Sequence, residues 1–188
     1  VWGMNKGFPV RIASTGGRYG YKDQGETPNT QICTYTYADG SVLTFEVRGL
    51  PTNSEEGVKI GNLFYGSDGY MLEQRFFDTK GKEIPDKSQP QKRGRTRSKS
   101  AKDDEGDPFA AFLRAVRSRD QNDVLAPVEA GHVGCAHCHL GNIAYRLAQE
   151  LTFNPDAQEF IGQGSAEANA LLLRQYREGF EVPRLASG

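Results

Sequence analysis

The longest periodic run of apolar residues in the chain lies between Pro127 and Leu151. Its apolar positions recur at steps of three and four residues, which predicts one amphipathic helix over the whole run. These positions are Val133, Ala136, Leu140, Ile143, Ala144, Leu147 and Leu151. Pro127 suits the first helical position, because the N–H that proline lacks has no intrahelical partner there. A helix of this length needs an apolar surface to pack against.

The residues before this helix alternate between apolar and polar side chains, which is the pattern of β-strands. Strands are predicted at residues 8–14, 31–37, 42–47, 58–65 and 70–77, and a further short strand ends at Ile84. Turns typical of β-hairpins separate them at Asp39-Gly40 and at Gly66 to Gly69. Successive hairpins followed by helices predict an α+β fold. We expect a large, open, mainly antiparallel sheet with helices packed on one face.

Two shorter helices are predicted on either side of the long one. The first begins with Asp107 as its cap and Pro108 at its first position. Its predicted buried stripe consists of Phe109, Phe112, Leu113 and Val116. The last helix is predicted to have Ser165 as its cap, with Ala168, Leu171, Leu172 and Tyr176 along one side. Between the long helix and the last one, we expect a turn at Asn154-Pro155 and a short strand at Phe160-Ile161.

The length of 188 residues predicts one domain over residues 1–188 with a charged insertion at 85–107. The insertion has no large apolar residue, which favours a solvated, disordered segment. Its basic residues also allow a nucleic-acid or targeting patch, but no aromatic side chains are interleaved with them for stacking on bases. The whole chain has 23 basic and 24 acidic residues, so its net charge does not favour nucleic acid or an anionic membrane.

The three cysteines do not form an even-numbered disulfide framework, which favours a reducing compartment and hence slightly favours the cytoplasm. No apolar run has the length of a membrane-spanning helix. The chain begins at Val1 rather than at a methionine. We therefore expect it to be part of a longer protein, whose location the sequence leaves undetermined.

A glycine- and tyrosine-rich segment runs from Thr15 to Thr30 between the first two predicted strands. Its glycines permit unusual backbone angles, and its side chains carry many hydrogen-bonding groups. Long polar loops on a sheet scaffold are common binding elements. A mobile surface loop is an equally good interpretation of the residues alone.

All three histidines and two cysteines lie within the long predicted helix. Cys135-Ala136-His137-Cys138-His139 matches the C-x-x-C-H attachment sequence of c-type haem. The motif lies inside a continuous amphipathic helix, however, so we expect no haem. His132, Cys135 and His139 share one flank of that helix and are suitable zinc ligands. No second Cys/His group completes the set, so we expect structural histidines and no metal. A cysteine nucleophile beside a histidine is a weaker alternative.

No G-x-G-x-x-G follows a predicted strand, so the chain lacks the sequence of a dinucleotide-binding Rossmann unit. The glycine-containing segment 61–67 lacks the lysine of a phosphate-binding loop.

Six segments, distributed in order along nearly the whole chain outside the 85–107 insertion, carry a family resemblance. They are RIASTGGRYGYKDQGETPNTQ, TYADGSVLTFEVRGLPTN, GNLFYGSDGY, FLRAVRSR, GHVGCAHCHLGNIAYRL and EANALLLRQYR. Together they resemble the C-terminal domain of the Gfo/Idh/MocA oxidoreductases, a family that includes glucose–fructose oxidoreductase and inositol dehydrogenase. The resemblance is strongest to the branch of bacterial dehydrogenases.

The resemblance implies that a Rossmann domain carrying NAD or NADP precedes this domain, upstream of residue 1. It also implies hydride transfer at a hydroxyl carbon of a sugar, polyol or cyclitol, and a homo-oligomer built through the sheet face. The family's catalytic lysine and histidine would both fall upstream of Val1, so no catalytic residue is carried over. This fragment alone is therefore expected to be inactive.

Substrate contact remains for this chain under that resemblance. Charged and amide groups can hold several hydroxyls, and an aromatic ring can stack on a sugar face, which favours the glycine-rich loop. The predicted substrate-binding residues are Arg18, Tyr19, Tyr21, Glu26, Asn29, Thr30 and, more weakly, His132. Two other functions stay open. One is an NAD-dependent glycoside hydrolase of the same superfamily, and the other is a non-catalytic carbohydrate-binding or oligomerisation module.

Overall fold

The protein is described by a computed structural model. It covers residues 4–73, 75–85, 107–124 and 127–181. The strands are β1 Arg11–Gly17, β2 Thr30–Thr36, β3 Val42–Arg48, β4 Leu63–Gly66, β5 Gly69–Leu72, β6 Arg75–Asp78, β7 Glu83–Ile84, β8 Leu151–Asn154 and β9 Glu159–Ile161. The helices are α1 Pro108–Ser118, α2 Val128–Leu147 and α3 Ser165–Ala170, with a short 3-10 turn at Gln121–Asp123.

The predicted α+β class with antiparallel strands is confirmed, but the strands form two sheets rather than one. The first has the order β3-β2-β1-β8-β9 and the second the order β4-β5-β6-β7. Hairpin signals fix the pairing of neighbouring strands, but they do not say which sheet edge the next hairpin joins. Here β8 pairs with β1 through Arg11↔Thr152 and Ile12↔Leu151 and so extends the first sheet. The chain divides into two compact units, Val1–Pro51 with Val124–Gly188 and Thr52–Asp123.

The core of the first unit lies between its sheet and α2. Along β2 the burial alternates, so that Cys33 and Tyr35 face the helix while Ile32 and Thr34 do not. From α2, Leu140, Ile143 and Ala144 complete this layer, as the apolar periodicity predicts. Each fully buried large apolar side chain contributes on the order of 1.5–3 kcal/mol.

Gly141 lets α2 approach the sheet closely. A Cβ atom at this position would lie 2.5 Å from the Tyr35 hydroxyl and 2.7 Å from the Cys33 Sγ atom. No side chain fits in that space without displacing buried neighbours. The glycine is therefore a packing requirement of the helix–sheet contact.

The long helix is shorter than its periodicity predicts. It ends at Leu147, and Ala148 adopts a left-handed conformation with φ 51° that reverses the chain. Leu151 is buried as predicted, but it lies on β8, a strand that the sequence pattern does not reveal. Pro127 is the N-cap residue rather than the first helical residue.

The last helix, α3, is also shorter than its apolar spacing predicts. It begins after Gly164 and ends at Ala170, so Leu171 and Tyr176 are exposed rather than part of a buried stripe. Asn169 explains part of its placement. Its side chain accepts from the Phe160 N–H at 2.7 Å and donates to the Phe160 carbonyl at 2.9 Å, which satisfies the backbone of β9.

The second unit contains the sheet β4–β7 and α1. The turn between β4 and β5 and the short strand at Ile84 are confirmed. The predicted single strand 70–77 is instead two strands, β5 and β6, because Glu73 adopts a left-handed conformation with φ 55° and starts a tight turn.

Helix α1 begins as predicted, since the Asp107 side chain accepts a hydrogen bond from the Phe109 N–H at 2.9 Å. Its apolar stripe is nevertheless not buried. Phe109 is 79% exposed and Phe112 66% exposed, and Leu113 and Val116 are also exposed. Amphipathic periodicity identifies a face that can be covered, and none of the described elements covers this one.

The predicted insertion at 85–107 lies almost entirely outside the described residues. Among the helices that the structure describes, none combines the length and the apolar character needed to cross a bilayer.

Candidate functional site

The glycine-rich loop spans residues 18–29, between the ends of two central strands. The last pair of the β1–β2 ladder is Gly17↔Thr30, and the Asn29 N–H donates to the Gly17 carbonyl at 3.1 Å. The two strands therefore hold both ends of the loop in a fixed place. The predicted polar segment begins three residues earlier, but Thr15 to Gly17 belong to β1.

Arg18 is the centre of this loop. Its Nη2 atom donates to the carboxylate of Asp23, and its Nη1 atom donates to the Thr27 carbonyl at 2.6 Å. The guanidinium carbon lies 5.7 Å from the centre of the Tyr21 ring. A Cβ atom on residue 25 would lie 2.6 Å from the Arg18 Cζ atom, so Gly25 leaves the room that the guanidinium occupies.

Asn29 closes the loop from its other end. Its Oδ1 atom accepts from the Tyr19 N–H at 3.1 Å, and its Nδ2 atom donates to the Tyr19 carbonyl at 2.8 Å. The Asn29 side chain therefore bonds to both the N–H and the carbonyl of Tyr19, as the backbone of a neighbouring antiparallel strand would. Thr30 adds a longer bond, with its hydroxyl 3.4 Å from the Asn29 Oδ1 atom. Arg18 and Asn29 thus direct most of their polar atoms into the loop itself.

The exposed side chains of the loop include the two tyrosines, Lys22, Gln24 and Glu26. Tyr19 is 54% exposed and Tyr21 is 53% exposed. The Glu26 carboxylate lies 3.7 Å from the Arg146 guanidinium at the end of α2, and both side chains are largely solvated. These groups are the ones that a ligand can reach.

His132 lies apart from the loop. Its Nε2 atom is 3.3 Å from Gln158 Oε1, and its ring meets Phe8 edge-on at 5.8 Å between centroids. From His132 to Arg146, the helix residue paired with the loop, α2 rises by about 21 Å at 1.5 Å per residue. The structure therefore groups six of the seven predicted site residues and separates His132 from them.

A second polar cluster, which the sequence interpretation missed, is buried between α2 and the sheet. The His137 Nδ1 atom lies 2.7 Å from the Val133 carbonyl, which can only accept, so Nδ1 carries the proton. The Nε2 atom is then the acceptor for the Tyr37 hydroxyl at 3.0 Å. The Tyr35 hydroxyl donates to the His137 carbonyl at 2.7 Å.

Burial determines the protonation of this cluster. Desolvation lowers the pKa of His137, which favours the neutral ring. Desolvation also raises the pKa of Tyr37 to about 12 and raises the pKa of Tyr35 well above its usual range. All three groups are therefore neutral near pH 7 and act as fixed hydrogen-bonding partners. The sequence signal for the two tyrosines is their spacing. Tyr35 and Tyr37 alternate with polar residues on β2 and just after it, on the same face as Cys33.

The cluster continues with Cys33 and Gln31 of β2 and with Ser14 of the neighbouring strand β1. The Ser14 hydroxyl is 3.2 Å from the Cys33 Sγ atom and accepts from the Gln31 amide at 3.0 Å. Gln31 also reaches Asn142 of α2 at 3.5 Å. These contacts join the sheet to the helix and leave no buried side-chain N or O atom unpartnered among the described residues.

The C-x-x-C-H motif is embedded in α2. Cys135 and Cys138 are free and exposed, whereas Cys33 is free and buried. Within the described ranges, no group of three or more His, Cys, Asp or Glu residues is arranged to hold a metal ion.

The described strands do not provide a dinucleotide-binding unit. Every strand pairing in both sheets is antiparallel. A Rossmann unit requires parallel strands joined by a crossover helix. The described strands therefore do not form a Rossmann unit that could hold NAD or NADP.

The family model described as "Oxidoreductase family, C-terminal alpha/beta domain" matches residues 21–182, most of the chain. This chain belongs to that family, and it is the C-terminal domain of a Gfo/Idh/MocA oxidoreductase. No curated protein matches it. A solved oxidoreductase structure from Thermotoga maritima is 16% identical, with a TM-score of 0.44, over 77% of this chain and 40% of that chain. The chain thus spans well under half the length of that protein.

Proposed function

We propose that this chain is the substrate-binding domain of an NAD(P)-dependent oxidoreductase acting on a hydroxyl group of a sugar, polyol or cyclitol. Family membership supports the oxidoreductase class. The loop at 18–29 supports the role in binding, because its internal bonds leave two tyrosine rings facing solvent on a fixed scaffold. Exposed aromatic rings stack on the apolar faces of sugar rings, while phenol hydroxyls bond to sugar hydroxyls.

The cofactor in this proposal is NAD or NADP, held by residues outside the described part of the chain. The nicotinamide would accept or supply the hydride. The described residues would bind and orient the substrate and exclude water from it. This domain without its cofactor-binding partner would therefore be inactive.

Alanine substitution of both Tyr19 and Tyr21 in the complete enzyme tests this function. The loop backbone is held by Arg18 and Asn29, so the double variant should fold normally. We expect KM for the substrate to rise by about tenfold or more, because two stacking or hydrogen-bonding contacts with the substrate are lost. The change in kcat should be smaller. Exposed Tyr65 on β4, in the second unit, provides the control as Tyr65→Ala. An unchanged KM in the loop variant would remove the loop from the substrate site.

We also propose that the protein is a homo-oligomer built through the face of the first sheet that α2 leaves open. Ile32, Val42 and Ile161 are exposed on this face, among several threonines. Ile32→Lys should dissociate the oligomer in light-scattering measurements of molar mass. A monomeric wild-type protein would exclude this interface.

Cytoplasmic location completes the proposal, supported by three cysteines that remain free thiols. Fractionation of the source cells tests this location. Detection of the protein outside the cytoplasm would contradict it.

A further inference from the structure

The charge of a ligand that the loop can bind depends on which charged side chains of the loop are available to it. Loop 18–29 contains two basic residues, Arg18 and Lys22, and two acidic residues, Asp23 and Glu26. A site for a phosphorylated or carboxylated sugar presents an arginine fork or several cations to the anion. The central cation of this loop is Arg18, so the loop can bind an anionic ligand only if the Arg18 guanidinium is free to contact it.

Arg18 is withdrawn from solvent and neutralised. Its side chain is 23% exposed, and both of its Nη atoms donate within the loop. Asp23 provides the balancing charge and is itself fixed, because its Oδ1 atom accepts from the Gly25 N–H at 3.0 Å. An anionic ligand would have to displace a carboxylate that the backbone already holds in position.

The other charges near the loop do not replace Arg18. Arg146 lies opposite Glu26 at 3.7 Å, so its charge is also balanced locally. Lys22 is exposed, and a single solvated lysine gives only weak, salt-screened attraction to an anion. The exposed phenol groups of Tyr19 and Tyr21 are uncharged hydrogen-bonding partners suited to hydroxyls.

We propose that Asp23 is a specificity-determining residue, which holds Arg18 inside the loop so that the site takes an uncharged sugar or polyol rather than a phosphorylated or carboxylated one. This inference rests on the proposed role of the loop in substrate binding. Asp23 does not touch the ligand itself; it acts through Arg18.

Asp23→Asn in the complete protein tests the proposal, because it removes the balancing charge but keeps the size of the side chain. The probes are D-glucose and myo-inositol as neutral ligands, and D-glucose 6-phosphate and D-glucuronate as anionic ones, titrated calorimetrically at low and high salt. The wild-type protein should bind a neutral probe more tightly than either anionic probe, with little dependence on salt. In the variant, the ratio of neutral to anionic affinity should fall by about threefold, the size of a surface ion-pair effect.

Two further variants separate specificity from damage to the loop. Arg18→Gln combined with Asp23→Asn removes the freed cation, so the gain in anion binding should disappear. Asp39→Asn removes another exposed aspartate, paired with Lys6 at the β2–β3 turn, and should leave the ratio unchanged. Hydrogen exchange of the loop amides shows whether the loop of each variant stays closed.

The outcomes are distinguishable. Tighter binding of an anionic probe to the wild-type protein, or an unchanged ratio in Asp23→Asn with an intact loop, overturns the role of Asp23 and leaves the binding function in place. Failure of all four probes to bind overturns the proposed sugar-binding function together with this inference.

Discussion

The loop at 18–29 and the His137 cluster both consist of polar side chains bonded to one another, yet they differ in what their bonds achieve. In the cluster, Tyr35, Tyr37 and His137 are buried between helix and sheet, and each bond replaces water that has been excluded. In the loop, Arg18 and Asn29 form comparable bonds in a solvated segment. Buried bonds are costly to break because the partner stays unsatisfied, whereas water can replace exposed ones.

This difference indicates separate roles for the two regions. The cluster fixes the position of α2 on the sheet, and any change there should affect the stability of the whole unit. The loop fixes its own shape, and changes there should affect local order and ligand binding more than global stability. Three substitutions test this division, in order of decreasing effect on stability.

Gly141→Ala should give the largest loss. The new methyl group would lie 2.5 Å from the Tyr35 hydroxyl, which is buried and already bonded to the His137 carbonyl. Overpacking of this kind costs on the order of 1–3 kcal/mol, and replacing a helical glycine by alanine returns about 1 kcal/mol, so the net loss should reach about 2 kcal/mol. Urea denaturation would show a lower free energy of unfolding.

Gly134→Ala is the matched control on the same helix, since a Cβ atom there would have no neighbour within 4 Å. It should stabilise the protein by about 0.5–1 kcal/mol through helix propensity alone. Equal effects of the two alanines would show that the helix does not pack on the sheet as described.

His137 should make stability depend on pH. Burial lowers its pKa in the folded state, so the unfolded chain binds more protons as the pH falls below the ordinary histidine value of about 6.5. The contribution of His137 to the free energy of unfolding should therefore be fully present above that value. It should decrease toward lower pH, by at most about 1.4 kcal/mol per pH unit for one group.

His137→Gln should flatten this dependence between pH 5 and 7 in denaturation measurements, at some cost in stability at every pH. Exposed His139 provides the control, because His139→Gln should preserve the slope of the wild-type protein. The facing groups from the sheet are Tyr35 and Tyr37, which stay protonated and neutral across this range, so they do not produce the slope. The same slope in His137→Gln would assign the effect to the carboxylates of the protein instead.

The sequence predicts the two regions unequally, for physical reasons. The apolar spacing of Leu140, Ile143 and Ala144 identifies the buried face of α2, and Asp39-Gly40 identifies the β2–β3 turn, because both signals are local. No local signal distinguishes His137 from the other helical histidines, because its partner Tyr37 lies 100 positions away in sequence. The apolar stripe of α1 shows the opposite failure. Its periodicity predicts burial, but burial also requires a partner surface, which periodicity does not reveal.

The site residues show the same limit. Composition identified the loop, and the family resemblance gave it a role, but neither could show that Arg18 and Asn29 bond inward while Tyr19 and Tyr21 face solvent. That distinction depends on Asp23 and Gly25, whose importance is apparent only when the guanidinium is in place.

Asn29→Ala should have the smallest effect on global stability and the most localised structural effect. It removes both bonds to the Tyr19 backbone but leaves no buried group unpaired, so the free energy of unfolding should fall by no more than about 1 kcal/mol. Hydrogen exchange should nevertheless accelerate at the Tyr19 amide and its neighbours while the amides of β2 stay protected. Exposed Asn122, in the 3-10 turn of the second unit, supplies the control as Asn122→Ala. If Asn29→Ala instead lowered stability as much as Gly141→Ala, the loop would be part of the folding core, and its separation from the His137 cluster would be wrong.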